Sequence, residues 1–301
     1  KKLSYISADN FEAIKNRKRL VVPGASQNRV VYRFSNTSID NCGQPNTFQA
    51  TYTQGEDDHI LDFVQSPDGT FMLCGQSTAA NAFGRKEAIV LKIDAKGNFI
   101  SNNRISSAGV NSFNSIINTA DGGYAAVGNT GSAIYLVKLT PTGSVSWSAW
   151  FINNELYGSH GIDLVETKDG GLAVAANYGD SYDSSNIVIL KTNKTGNLQW
   201  SEKFISEKKA IATAITIAGD SLYVSGYYTK NYTVPSDGIL IKLNSTTGLH
   251  YWTKSYDKEG MEDQVLSVDY LNGALTLGFS HNDNVTYPFE QSFTKLDLNG
   301  S

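Results

Sequence analysis

Cysteine, methionine and proline are all scarce in this chain of 301 residues, at two, two and six. Two cysteines cannot make a disulfide scaffold, so burial and backbone pairing must hold the fold. Charge is sparse as well, at 18% where globular domains average about a quarter. Glycine, with 27 residues, and small polar side chains take its place, as in many extracellular β proteins. The net charge is −4 and basic clusters such as Lys15 to Arg19 are short, which excludes a nucleic-acid footprint. No apolar run approaches the roughly 18 to 20 residues of a membrane-spanning helix. A hydrophobic signal region is missing too, so a mature or trimmed chain is expected, with a lipid anchor upstream of residue 1 remaining possible. No phosphate-binding loop, dinucleotide fingerprint, HExxH or GxSxG motif occurs, and no cofactor is expected.

What the chain does have is a repeat. Five segments carry an apolar strand, a Gly-containing turn, a second strand usually ending in Gly, and a third strand bearing a lysine. They are HILDFVQSPDGTFMLCG from His59, SFNSIINTADGGYAAVG from Ser112, HGIDLVETKDGGLAVAA from His160, AIATAITIAGDSLYVSG from Ala210 and EDQVLSVDYLNGALTLG from Glu262. A weaker copy opens the chain. The landmark closing the second strand falls at Gly24, Gly75, Gly128, Ala176, Gly226 and Gly278, giving spacings of 51, 53, 48, 50 and 52. A basic residue recurs at Arg33, Lys92, Lys138, Lys191, Lys242 and Lys295. A Gly turn and an aromatic strand follow, with Trp147, Trp200 and Trp252 in register, while the turn at Gly97 lacks the Trp.

Four short antiparallel strands repeated at this period describe a β-propeller blade. The third strands read as nearly continuous apolar runs (IVLKI, YLVKL, VILKT, ILIKL), as strands buried on both faces should. A helical solenoid would need a 3.6-residue period and helix caps, which are absent. The expectation is therefore an all-β fold: a six-bladed β-propeller of four-stranded antiparallel blades, one domain over residues 1–301. The last repeat stops at Leu296 to Gly300, before its aromatic strand, and the opening Lys2 to Ser7 resembles that strand. The amino-terminal strand is expected to complete the last blade and close the ring.

TYTQGEDDHILDFVQSPDGTFMLCG (Thr51 to Gly75) and NIVILKTNKTGNLQWSEKF (Asn186 to Phe204) resemble the repeats of bacterial secreted and envelope propellers. Those read W-x3-Y-G-G-x-x-D-D, S-D-G-G-Y-x-x-x-G and D-x-x-G-N-x-x-W. The resemblance covers most of the chain, most clearly residues 48–300. It implies an exported, often lipid-anchored β-propeller of unsettled function, secreted or at the outer surface or periplasm.

The Asp-Gly turns at Asp68, Asp121 and Asp169 are hairpin chemistry, with Gly supplying positive φ. They brush against the sialidase Asp-box but lack its Trp. The tryptophans are expected to pack between blades, and the lysines to pair with a carboxylate, carbonyl or hydroxyl of their own or the next blade. Cys42 and Cys74 fall at opposite faces and are not expected to pair; Cys74 reads as a small core residue.

Two features point past the scaffold. His59 and His160 share one repeat position at the start of the innermost strand, with Ser112, Ala210 and Glu262 as equivalents and Asp58 and Asp263 alongside. The loops between second and third strands open on that same face and carry aromatics, among them Phe83, Tyr178, Tyr182, Tyr228, Tyr232, Tyr287 and Phe289. The candidate ligand-binding set is Asp58, His59, His160, Glu262, Asp263, Tyr178, Tyr182, Tyr228 and Tyr232. His with carboxylates is ordinary metal-site chemistry, and tyrosines suit stacking on sugars; a solvated rim of ordinary loops is the bland alternative. The leading expectation is a non-catalytic, monomeric binding propeller for a glycan or an extracellular or envelope protein. The alternatives are a carbohydrate-active hydrolase or lyase using His59, His160 and the neighbouring acids, and a structural module of a surface assembly.

Overall fold

The computed structural model describes residues 58–78, 86–105, 111–151, 158–179, 185–206, 209–229, 235–258, 261–282 and 290–301. The described residues are all-β, with no helix, and form five antiparallel sheets. The first is β1 (Asp58–Gln65), β2 (Phe71–Thr78), β3 (Lys86–Ile93) and β4 (Phe99–Ile105). The second is β5 (Asn111–Asn118), β6 (Tyr124–Thr130), β7 (Ala133–Leu139) and β8 (Val145–Phe151). The third is β9 (His160–Glu166), β10 (Leu172–Gly179), β11 (Ser185–Thr192) and β12 (Leu198–Phe204). The fourth is β13 (Lys209–Ala218), β14 (Ser221–Thr229), β15 (Asp237–Asn244) and β16 (His250–Tyr256). The fifth has three strands: β17 (Glu262–Leu271), β18 (Ala274–Asn282) and β19 (Glu290–Leu296). Innermost strands of successive sheets are neighbours, in the manner of propeller blades.

Six four-stranded blades in a closed ring are therefore not what the described residues form. The opening repeat, with Gly24, Arg33, Cys42 and the expected closing strand Lys2 to Ser7, lies outside the described residues.

The period-2 pattern of a strand explains the packing. Along β10, Leu172, Val174 and Ala176 face the second sheet, whereas Ala173 and Ala175 face the fourth. On β11, Val188 and Leu190 join the first set and Ile187 and Ile189 the second. Both faces of a blade are thus dry, which is why no polar alternation is legible in these runs. Cys74 belongs to the layer between the first and second sheets and is fully buried, as expected.

The landmark glycine lies inside the second strand, not at its end, and the reason is a bulge. Every innermost strand is irregular where it meets this position: between Ile60 and Asp62, Phe113 and Ser115, Ala212 and Ala214, and Val265 and Ser267, with the third sheet irregular at Ala175/Ala176. The bulge pushes a carbonyl onto the facing residue. A Cβ at Gly75, Gly128 or Gly226 would lie 1.9, 1.9 or 2.0 Å from the carbonyl oxygen of His59, Ser112 or Ile211. In the third sheet an alanine, Ala176, stands at this position, paired with Gly161.

Polar side chains join each sheet to the next. The carboxylate of Asp62, 3% exposed, accepts the Ile116 amide at 2.9 Å, and Asp163 accepts the Ser115 hydroxyl at 2.7 Å and the Ile215 amide at 3.1 Å. Asn114 donates to Gly161 O, Asn177 exchanges two bonds with Ala212, and Thr213 donates to Val265 O. Apart from the Ser115 bond, which joins two side chains, each pairing satisfies a backbone group at or beside an irregular position.

The lysines fall into two kinds. Lys138 and Lys191 are buried and reach the turn carboxylates of their own sheets, Asp121 at 2.8 Å and Asp169 at 2.7 Å. Lys92 and Lys242 instead donate to carbonyls of the following sheet, Pro141 and Leu298, each at 3.0 Å. Lys295 is exposed. The fourth sheet's division has a local cause: its first turn is the tight Gly219-Asp220 pair, which supplies no carboxylate at the Asp169 position. The tryptophans are half-buried and pack against the layers between sheets, each lying on the turn glycine of the next sheet. Trp147 covers Gly196, Trp200 covers Gly248 and Trp252 covers Gly300, all three glycines having positive φ.

Candidate functional site

Starts of first strands and ends of second strands share one face, as the register requires: Asp58 lies opposite Ser77, His160 opposite Asn177 and Glu262 opposite Asn282. The loop residues Phe83, Tyr182, Tyr232, Tyr287 and Phe289 lie outside the described residues.

His59 and His160 do occupy equivalent positions, paired with Gln76 and Asn177 just past the landmark. They belong to the first and third sheets, however, and the second sheet stands between them. Among the described residues no three His, Cys, Asp or Glu side chains gather as metal ligands. His160 is exposed, yet desolvation by the surrounding chain still holds its imidazole below the usual pKa. Asp58 is half-buried and accepts the hydroxyl of the buried Ser77 at 2.5 Å.

Three expectations need correction. Tyr178 is not a rim aromatic: it is 6% exposed, in the layer between the second and third sheets, with Lys203 over its ring at 5.1 Å. β10 runs on to Gly179, so Tyr178 is still a strand residue with its ring in the inter-sheet layer. Tyr228, by contrast, keeps an exposed part while resting against the layer between the third and fourth sheets. Glu262 is not the counterpart of His59. The residue facing the position just past Gly278 is Val265, because the two-residue Asn272-Gly273 turn replaces the longer turns of the first three sheets and shifts the count.

Asp263, expected at the rim, is 1% exposed and serves a buried network on the fifth sheet. Its amide donates to Ser236 O at 2.7 Å, its carboxylate accepts the Lys258 amide, and the other carboxylate oxygen meets Nδ1 of His281. His281 Nε2 lies 2.9 Å from Ser292 Oγ. The imidazole stacks on Phe279, centroids 5.7 Å apart at an interplanar angle of 6°, and Phe279 packs edge-on against Tyr256, whose phenol is pushed up to about 12 by burial. Lys258 and Glu290 form an exposed ion pair at 2.6 Å beside the same network. Sequence reasoning missed His281 and Ser292 because it sought histidines at a repeated position, and His281 sits where the fourth sheet has Thr229.

No protein-family model matches this sequence, and no curated protein matches it. Among solved structures, it is similar to a protein from Lactobacillus plantarum with a TM-score of 0.55 and 11% identity, over 85% of this chain and 75% of that one. A protein of unknown function from Dyadobacter fermentans gives 0.50 and 7%, over 80% and 79%. An endo-arabinase from Bacteroides thetaiotaomicron gives 0.42 and 11%, over 83% and 98%, too distant to inform the chemistry. At such identities the likeness concerns the fold alone.

Proposed function

We propose that this chain is a binding propeller that acts outside the cytoplasm and recognises a glycan through the face bearing the first-strand starts. The observation that carries this reading is an asymmetry between the two faces. The turn face repeats its chemistry from sheet to sheet, with short Gly turns and the Lys–Asp pairs of the second and third sheets. The opposite face does not: its strand starts carry Asp58 and His59 in the first sheet, His160 in the third and Glu262 in the fifth. Binding residues concentrate where a rigid scaffold holds variable positions. Asp58, His59, His160 and Glu262 supply donors and acceptors for sugar hydroxyls, and Tyr228 an apolar surface beside them. Asp263 and Tyr178, being buried, act as supports of this face rather than as contacts.

The test is a glycan array probed with the intact chain and with a variant carrying both His59→Ala and His160→Ala. Selective binding that weakens by about tenfold in the variant, the effect of losing roughly one hydrogen bond, is the expected result. Undiminished binding removes these residues from the site, and capture of a protein with no glycan bound replaces the ligand class.

A further inference from the structure

We propose that Asp263, His281 and Ser292 form a nucleophilic relay that cleaves a carboxylic ester, an activity beyond the ligand recognition proposed above and independent of it. Adjacent strands of the fifth sheet deliver one member each: Asp263 from β17, His281 from β18 and Ser292 from β19. The proton assignments follow from what each group can do. An ionised carboxylate only accepts, so the proton between Asp263 and His281 is carried on Nδ1. In the neutral ring Nε2 is then an acceptor, and the Ser292 hydroxyl donates to it across 2.9 Å. A nucleophile bonded to a base that is itself oriented by a third group is the geometry of acyl transfer.

Two further observations separate this arrangement from an ordinary structural network. The orienting end is rigid: Asp263 is 1% exposed, its amide is tied to Ser236 O and its carboxylate to the Lys258 amide, while Phe279 stacks on the imidazole. The reacting end is open, because Ser292 is half-exposed whereas its counterparts Ala88, Ile134 and Ile187 are buried.

The chemistry balances with water as the second reactant. Ser292 Oγ attacks the ester carbonyl while its proton passes to His281 Nε2, and Asp263 stabilises the imidazolium. The tetrahedral adduct collapses, the bond to the alcohol oxygen breaks, and Nε2 returns the proton to the departing alcohol. Water then attacks the acyl-serine, giving its proton to Nε2. The acid leaves and Ser292 takes the proton back.

The experiment treats the intact chain with a fluorophosphonate and locates the adduct by mass spectrometry, alongside hydrolysis of p-nitrophenyl acetate. The expected result is a single adduct on Ser292, abolished in Ser292→Ala, with labelling and hydrolysis falling at least about a hundredfold in His281→Ala. Asp263 acts as a positioning residue, so Asp263→Asn should shift the pH dependence of labelling as well as its rate. Should the His281 or Asp263 variants fail to fold, Ser292→Cys carries the test: its thiol should react with iodoacetamide faster than an ordinary exposed cysteine, through thiolate formation by His281. No adduct at Ser292, or labelling indifferent to His281, or a thiol of ordinary reactivity in the Ser292→Cys variant, would overturn the proposal while leaving glycan recognition untouched.

Discussion

The fourth and fifth sheets are built to one plan and part company at one end. Their first strands are both ten residues long, both turn through a two-residue hairpin, and both carry the bulge opposite a glycine. At the far end of the same register, Lys209, Thr229 and Gly238 of the fourth sheet stand where the fifth has Asp263, His281 and Ser292. Gly238 is pressed against the next sheet, where a Cβ would lie 2.9 Å from Val265 Cγ2. The scaffold thus specifies the backbone at both ends, and leaves the loop-facing side chains to be chosen sheet by sheet. Geometry that is repeated serves stability here, and geometry that occurs once is available for chemistry.

The most damaging way to probe that shared plan is at the bulge. Gly226→Ala should cost more than about 3 kcal/mol, the range of severe steric and buried-polar defects, because the new methyl meets the backbone oxygen of Ile211. Gly278→Ala meets a side chain instead, Ser267 Oγ at 2.6 Å, which can turn aside. It should cost only about 1 kcal/mol. Urea denaturation of both variants decides the matter, and equal losses would show that the two glycine sites do not differ in the way the contacts require.

A smaller effect is expected where the two sheets meet. Thr213→Val deletes the hydroxyl that donates to Val265 O, and should lower stability by about 1 kcal/mol. Lys242→Met, which removes the bond to Leu298 O, should do the same. If both variants melt like the parent, these bridges only decorate a contact held by Tyr223, Leu240, Val265 and Leu277.

The smallest effect separates the lysine classes by pH. Hydrogen bonds from Lys138 and Thr119 lower the Asp121 carboxyl to about 2. Burial pushes Asp169 upward, but Lys191, Thr167 and the Gly171 amide outweigh it and bring it also to about 2. Both lie below the ordinary 3.8. Their stabilisation is therefore complete above that value and is lost as the pH falls towards 2. Lys242, bonded to a carbonyl, has no such dependence on a turn carboxylate. Hydrogen exchange followed from pH 4 down to pH 2 should show the second and third sheets loosening before the fourth, and a uniform response would remove the distinction.

How much of this was legible beforehand depends on the length scale of the signal. The repeat, the strand order within each sheet and the sharing of one face by first-strand starts and long loops follow from spacing and apolar runs. The Lys–Asp pairs were half legible: a buried ammonium demands a partner, but that the Asp of the hairpin turn would be that partner depends on turn length. The bulge was not legible, since the clash that requires Gly75 or Gly226 involves a carbonyl, which every residue has. Asp263 was noticed and misplaced on the rim, and its partners were missed, because His281 and Ser292 are joined to it across strands and share no motif with it.

Most of the bridges between sheets run the same way: the side chain of one sheet meets the backbone or turn of the following one, as Asn103 does with Gly143 and Lys254 with Gly300. In the language of assemblies each contact is heterologous, with unlike halves on the two sides of every blade. Surfaces of that kind close into rings when the rotation permits and otherwise propagate. A fragment holding only the second to fourth sheets would carry unlike halves at its two ends, each complementary to the other end of a second copy, and head-to-tail oligomers rather than a monomer are its expected form.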